Sequence, residues 1–288
     1  ALVLAGQEAE HAPKVRIGLG GYTDQFSDAT GTWKGWTANV EWFRDSSGPW
    51  SLALATSQRP EGRGTLATLG EETAFGDWSW IWVSVGSGSG DNFLPSFRGN
   101  LDMSLGINEA WSLELGGFYN RFRDGSSTTI LQAGPGWKGK VWSSTLRLQQ
   151  VKYDPGGDSN LGVLFDLRWG ADNFRRWHSL RLGWGEGVLD ALQTGGSLSV
   201  TTSTFYGGGG GGGRGWGGGT GGTGTTGTTG TTVTTTQWVY PSAKEALVGF
   251  SSHLPFNDHF ALRLDVSWGQ RQGYFTVWSG AIQTVVTF

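Results

Sequence analysis

Residues 274–288, YFTVWSGAIQTVVTF, form the stretch that decides the fold of this chain. Counting back from Phe288, alternate positions carry Val286, Ile282 and Trp278, whereas the positions between them are mostly small or polar. This period of two predicts a β-strand with one largely apolar face. An open sheet edge cannot exist in lipid, so a transmembrane barrel must close on its last strand. We therefore expect this segment to close such a barrel.

The composition is that of a membrane β-protein. Only 16% of the residues are charged, whereas about 25% is usual in soluble domains. The chain has 17 tryptophans, and tryptophan is enriched at membrane interfaces. No run approaches the roughly 18 apolar residues of a membrane helix. If the chain spans a membrane, it therefore does so with strands.

Charge and cysteine content exclude other classes of function. The formal net charge is −3, which argues against nucleic acid as a partner. Because the chain has no cysteine, it contains neither disulfides nor thiolate metal sites. With four histidines as well, we expect no metal centre and no cofactor.

Alternating segments follow one another along most of the chain. The pattern is clearest at residues 101–107, 163–169 and 260–268. Residues 66–75 and 128–136 alternate poorly, and we predict strands there because their neighbours require them. Polar connections at residues 23–33, 86–95, 123–127 and 154–160 predict longer loops at one end of the barrel.

A second pattern places an aromatic residue after each tight turn at the start of a strand. It recurs mostly at intervals of about 30 residues, which matches two membrane strands with a turn and a loop. We expect these aromatics to form a girdle at one membrane interface. The predicted girdle residues are Trp50, Trp78, Trp111, Trp142, Trp177 and Phe260.

The spacing predicts an all-β fold, a single antiparallel up-and-down transmembrane barrel of about 14 strands over residues 14–288. Residues 207–236 are almost entirely Gly and Thr and are expected to form a long low-complexity loop. Residues 197–205 and 231–240 could add one hairpin, so 16 strands is the alternative. Residues 1–13 are expected to form an N-terminal arm or the remnant of a signal peptide.

The chain resembles the YaiO-like family of outer-membrane β-barrels. The motifs that carry the resemblance are IGLGGYTDQFSD, WKGWTANVEWF, GPWSLALATSQR, SLGINEAWSLELGGFYNRF and DNFRRWHSLRLGWGEG. The resemblance implies a Gram-negative outer membrane and a link to surface-polysaccharide systems, without an activity. The Gly/Thr tract departs from the family pattern. A terminal aromatic also resembles the recognition signal of such barrels, which makes Phe288 the expected insertion signal.

Alternation predicts which charged side chains face the barrel interior. These candidates for lining the lumen are Arg16, Glu41, Arg98, Asp102, Glu114, Arg147, Asp166, Arg168, Arg181, Arg263 and Asp265. Mixed charges inside a barrel pair across strands or line a polar passage. The sequence leaves open a conduit, with a polysaccharide as one solute, and a non-conducting subunit that anchors an envelope assembly. The expected partners are outer-membrane lipid and, in either case, envelope proteins or a polysaccharide.

An outer-membrane hydrolase is the third hypothesis. Ser251 and His253 share a strand face, and Asp265 follows on the next strand. A hairpin turn between them is expected to set His253 opposite about Phe260, too far from Asp265 for a Ser–His–Asp unit. His178 alternates with leucines and is expected to face the lipid. We therefore expect no catalytic residues and a protein that is not an enzyme.

Overall fold

The chain folds into a closed antiparallel barrel of fourteen strands in a computed structural model. The structure describes residues 15–27, 31–44, 47–60, 62–75, 78–90, 94–154, 159–171, 176–186, 244–272 and 275–288. Each strand pairs with its neighbours in sequence, and the first pairs with the last from Arg16 opposite Thr287 to Phe26 opposite Val277. Closure therefore leaves no free sheet edge.

The strands have 10 to 14 residues, enough to cross a bilayer at a tilt. In chain order they are β1 (Val15–Phe26), β2 (Thr32–Arg44), β3 (Ser47–Arg59), β4 (Gly62–Phe75), β5 (Ser79–Gly90), β6 (Phe97–Gly106), β7 (Trp111–Arg121), β8 (Ser127–Lys138), β9 (Trp142–Asp154), β10 (Ser159–Ala171), β11 (Arg176–Glu186), β12 (Lys244–Pro255), β13 (Phe260–Arg271) and β14 (Phe275–Thr287). Within the described part of the chain, no helix is long and apolar enough to cross a membrane.

The prediction of a fourteen-stranded barrel is confirmed, including the two poorly alternating segments, which form β4 and β8. The predicted loop bounds at residues 23–33 and 86–95 were wrong. β1 continues to Phe26, β2 already begins at Thr32, and β5 continues to Gly90. Glycine and polar residues extend these strands because ladder hydrogen bonds use the backbone and need no apolar side chain.

Several expected features lie outside the described residues. They are the N-terminal arm at residues 1–13, the Gly/Thr tract at residues 207–236, and the additional hairpin at residues 197–205 and 231–240.

The outer face of the barrel is apolar between two levels of aromatic residues. Its middle positions include the exposed Leu52, Val85, Leu131, Leu148, Val266 and Ile282. The end near Val15 and Phe288, here called the turn end, carries outward-facing Trp42, Trp50, Trp111, Trp137, Trp142, Trp169 and Phe260. The opposite end, the loop end, carries Trp36, Phe97, Tyr119, Trp184, Trp268 and Trp278. An apolar band between aromatic girdles is the exterior that lipid requires.

At two of the tight turns, an asparagine fixes the position of the aromatic residue that begins the next strand. The Asn108 side-chain oxygen accepts hydrogen bonds from the backbone N–H groups of Ala110 and Trp111, both at 2.9 Å. Asn257 accepts from His259 and Phe260 in the same way, both at 2.8 Å. Such Asx turns fix the last turn residue and the first strand residue together. The aromatic residue is then the first residue of the strand, at a fixed depth along the barrel axis.

The girdle prediction was wrong for Trp177. This side chain is only 3% exposed and stacks on His253, with which it pairs across β11 and β12 inside the barrel. Trp177 follows Arg176 in β11, and it is Arg176 and His178 that point outward. Trp111, Trp142 and Phe260 are the first residues of their strands, whereas Trp177 is the second residue of β11, so it falls on the opposite parity. Trp50, Trp111, Trp142 and Phe260 do face outward, whereas Trp78 is an exposed residue of the turn before β5. The contact of all five with lipid headgroups stays a prediction.

The exterior makes a testable prediction about depth. Val266 lies outward at the middle of β13 and is 52% exposed, whereas Gln270 lies outward near the end of the same strand. Val266→Arg should reduce the free energy of unfolding by about 2–4 kcal/mol, because a charge at the bilayer midplane loses its hydration. Gln270→Arg is the matched control and should cost about 0–1 kcal/mol. Urea unfolding from lipid vesicles measures both values, and equal costs would contradict the assigned membrane depth.

Candidate functional site

The charged side chains predicted to face the lumen lie on the inner face of the barrel. All eleven residues predicted to face inward occupy inward positions of their strands. Those that are fully buried are Glu41, Arg98, Asp102, Glu114, Arg147 and Asp265. Those that are partly exposed are Arg16, Asp166, Arg168, Arg181 and Arg263. Burial is therefore uneven around the inner wall, and two parts of the wall, β6–β9 and β10–β13, are built differently.

The inward faces of β6–β9 form a continuous buried network that we call the buried sector. Arg147 on β9 lies at its centre and pairs with Asp102 on β6 at 3.2 Å and Glu114 on β7 at 3.1 Å. Gln132 donates to Gln149 at 3.0 Å beside them. Two further hydroxyls, those of Ser104 and Ser112, donate to Glu114 at 2.7 and 2.6 Å. Each buried charge thus has partners, as buried charges require.

Glycine makes the central contact of the buried sector possible. Glu114 pairs in register with Gly134 on β8, the strand between Glu114 and Arg147. Because Gly134 has no side chain, the Arg147 guanidinium can cross β8 and reach Glu114. A Cβ at Gly134 would lie 1.8 Å from the carbonyl oxygen of Leu146, so no other residue fits there. A Cβ at Gly136 would lie 2.7 Å from Glu114 Oε1.

The inward faces of β11–β13 carry small residues where the buried sector has large ones. Four inward, adjoining positions on β11–β13 carry Ser179, Gly249, Ser251 and Ser267. All four are only partly buried. A Cβ on Gly249 would meet nothing nearer than Ser267 Cβ at 3.6 Å and Arg181 Cβ at 3.7 Å, which is ordinary contact. The inner wall therefore lacks large side chains at these four positions, and we call this part of the wall the recess, with these residues as its floor.

Charged side chains surround the recess. They are Asp166, Arg168, Arg181, Arg263 and Asp265. Arg181 Nε donates to Asp166 Oδ1 at 2.6 Å, and Arg263 Nη2 pairs with Asp265 Oδ1 at 3.2 Å. Arg168 lies beside Ser179 in register. The recess is thus a polar surface with more cations than anions.

The turn-end margin of the recess is aromatic and basic. Trp177 and His253 stack with ring centroids 5.8 Å apart and planes 7° from parallel. The Arg168 guanidinium carbon lies 4.5 Å from the Trp177 ring centroid, and that of Arg263 lies 5.6 Å from it. Both distances are within the range of cation–π attraction. One indole ring therefore positions two arginines.

The loop-end margin of the recess is apolar. Leu164, Leu247 and Val277 occupy alternate strands of one row, and Gly183 and Gly269 occupy the strands between them. The row belongs to a larger buried cluster that continues on both sides. Its other members are Phe26, Trp33, Phe118, Ile130, Val151 and Phe275. An apolar belt therefore separates the recess from the loop end along this part of the wall.

Sequence reasoning missed several inward polar residues. Gln283 on β14 donates to Asn39 on β2 at 2.8 Å, across β1. Gly18 on β1 lies between them, and a Cβ there would be 2.1 Å from Asn39 Oδ1. Near the loop end, Arg271 on β13 pairs with Glu245 on β12. The parity of each strand could have identified these residues, because they lie on the same strand faces as Arg16, Glu41 and Arg263.

The predicted register of the last hairpin was wrong by about three residues. His253 lies opposite Arg263, and Ser251 lies opposite Asp265. The turn is Phe256–His259, closed by Asn257, which sets Pro255 opposite Ala261. Although Ser251 and Asp265 are cross-strand neighbours, the Ser251 side chain has no hydrogen bond within the described chain.

A different Ser–His contact lies on the outer face. His178 faces outward between Trp169 and Phe250, and its Nδ1 lies 2.9 Å from Ser252 Oγ. Among the described residues, no further group bonds the His178 ring. A catalytic histidine needs a third group to orient it. The contact is instead explained by mutual satisfaction of two polar side chains on an apolar surface.

The buried sector yields a stability prediction. Arg147→Met should lower the free energy of unfolding by about 3–5 kcal/mol, because Asp102 and Glu114 are left buried without their cation. Combining it with Asp102→Asn and Glu114→Gln should recover most of that loss, since the triple variant carries no buried charge there. Urea unfolding in lipid vesicles measures both. A triple variant no more stable than Arg147→Met would show that packing by Arg147, not charge, holds the sector.

Comparison with known proteins agrees with the barrel. No curated protein matches the sequence. Three solved structures share the fold at 8–9% identity. The TodX ΔS2S3 mutant monoaromatic hydrocarbon channel has a TM-score of 0.55, and the match covers 96% of this chain and 91% of that chain. The CymD monoaromatic hydrocarbon channel has a TM-score of 0.54, with 96% of this chain and 89% of that chain covered. A bacterial polysaccharide outer membrane secretin has a TM-score of 0.52, with 96% of this chain and 100% of that chain covered.

The family follows from a sequence match independent of these structures. Residues 14–187, more than half of the chain, match the model of the YaiO membrane beta barrel domain. The match covers β1–β11, which include the whole buried sector and one wall of the recess. The barrel, its apolar exterior and this match together show that the chain belongs to the YaiO membrane β-barrel family and lies in the bacterial outer membrane.

Proposed function

We propose that this protein is a narrow outer-membrane conduit for polar solutes and that its path follows the recess on β10–β13. The observation that carries the proposal is the uneven burial of the inner wall. The inward charged side chains of β6–β9 are buried and bonded to neighbouring polar groups, whereas Asp166, Arg168, Arg181 and Ser251 keep accessible surface. Water-accessible polar surface inside a barrel is what a conduit requires.

The chemistry of the recess selects among possible solutes. Two of the structures that share this fold are hydrocarbon channels, and a third is a polysaccharide secretin. A hydrocarbon would leave the arginines and carboxylates around the recess without hydration or partners, which is costly. A polar solute such as a glycan keeps them hydrogen-bonded. This favours the polysaccharide association that the family resemblance implies, with the solute or an envelope protein as partner.

The apolar belt bears on gating. Leu164, Leu247 and Val277 stand between the recess and the loop end. Apolar constrictions close a pore to ions when they lose their water. The belt then acts as the barrier that a solute must pass, and the recess as the chamber before it.

A non-conducting scaffold is the second candidate. The ion-paired buried sector and the apolar belt favour it, because both fill the interior with side chains. Under this alternative the barrel anchors an envelope assembly, and the recess has no transport role. We propose no catalytic role in either case, since neither Ser–His arrangement has an oriented nucleophile.

Planar-bilayer recording tests the conduit. The wild-type protein should give steady conductance steps, and Gly249→Leu should reduce them by half or more because the new side chain fills the recess. Gly280→Leu is the matched control. Gly280 faces outward on β14, and a Cβ there meets nothing within 4 Å, so its conductance should equal that of the wild type.

Folding is checked by the heat-dependent gel shift typical of closed barrels. A silent bilayer with verified insertion of the wild-type protein would overturn the conduit and support the scaffold. Steps that Gly249→Leu leaves unchanged would place the path away from the recess.

A further inference from the structure

Among the arginines around the recess, Arg168 is the one without an ion-paired carboxylate within the described part of the chain. The cations nearest to it are paired, Arg181 with Asp166 and Arg263 with Asp265. For Arg168, the contact that the described residues supply is the face of Trp177. Arg263 and Arg181 repel its guanidinium, and Asp166 attracts it. The recess therefore keeps one uncompensated positive charge.

An uncompensated guanidinium in a partly buried position is unfavourable unless an anion joins it. The guanidinium presents five N–H donors, and the contact with an indole face uses none of them fully. Its planar fork matches the two oxygens of a carboxylate, sulfate or phosphate. The neighbouring Arg263 and Arg181 add to the positive potential at Arg168.

We propose that the recess binds an oxyanion, with Arg168 as the principal anchor and Arg263 as the second donor. The two guanidinium groups are held by the same Trp177 ring, at 4.5 and 5.6 Å from its centroid. Ser179 and Ser251, beside Arg168 on the floor, supply hydroxyl donors. The proposal rests on the recess being the solute path, and it names the solute class as one bearing a phosphate, sulfate or carboxylate group.

The indole itself is not the binding surface. Trp177 is buried, His253 stacks on it, and the arginines lie over it. A sugar ring therefore cannot stack there, and recognition falls to the charged groups. Neutral sugars should bind this site poorly, whereas anionic ones should bind through their acidic group.

Equilibrium dialysis with radiolabelled inorganic phosphate tests the site in detergent-solubilised protein at low ionic strength. The wild-type protein should bind phosphate at one site. Arg168→Gln should weaken binding by about tenfold or more, as expected for loss of a charged hydrogen-bond donor. Arg168→Lys should retain part of the affinity because it keeps the charge. Arg121→Gln removes the same charge from the outward face of β7 and should leave binding unchanged.

Gly249→Leu provides a second variant that keeps every arginine and fills the recess, and it should also abolish binding. Competition by glucuronate but not by glucose would extend the site from free phosphate to anionic sugars. No binding by the wild type, or equal binding by Arg168→Gln, would overturn the proposal. Dialysis does not require conduction. Binding with a silent bilayer would therefore reject the conduit and keep the anion site, and conduction without binding would do the reverse.

Discussion

The structure depends on the need of every backbone N–H and C=O group to find a partner inside lipid, where water is absent. The seam between β1 and β14 meets this need. Phe288 donates to Val15 at 2.9 Å, and the ladder continues to Phe26 opposite Val277. Once the sheet is closed, every side chain must point either to lipid or to the interior. Closure therefore fixes the division of the chain into an apolar set and a polar set.

Within the interior, glycine position decides which charges meet. Arg147 reaches Glu114 because Gly134 leaves β8 bare between them, and Gln283 reaches Asn39 because Gly18 does the same on β1. Both contacts join residues two strands apart, which the bulk of a side chain on the middle strand would prevent. Glycine weakens a strand intrinsically. Here that cost is offset by ion pairs and hydrogen bonds that no other residue would allow.

Strand parity made much of the structure predictable from sequence, because it needs only local alternation. Parity placed Arg147, Arg168 and Glu114 on the inner face before their partners were known. Register was not predictable in this way. His253 lies opposite Arg263 rather than Phe260 because Asn257 closes a four-residue turn. Trp177 fell on the wrong face because β11 begins one residue before it, whereas β7, β9 and β13 begin at their aromatic residue. Both errors arise at turns, where one residue changes every later pairing.

The buried sector on β6–β9 and the recess on β10–β13 differ in their polar side chains, which are buried in the first and accessible in the second. A buried ion network gains from having every donor and acceptor paired, and such a network leaves no group for a solute. In the β6–β9 wall Arg147 pairs with both Asp102 and Glu114, although the buried Asn100 Oδ1 and Thr145 Oγ1 have no hydrogen bond within the described chain. On β11–β13, serine and glycine replace large side chains, and the polar side chains beside them, including Arg168 and Arg181, keep accessible surface. Both kinds of wall fit in one barrel because strands bond only to their neighbours. A buried, stable sector can therefore coexist in one barrel with a sector whose polar side chains are accessible to a solute.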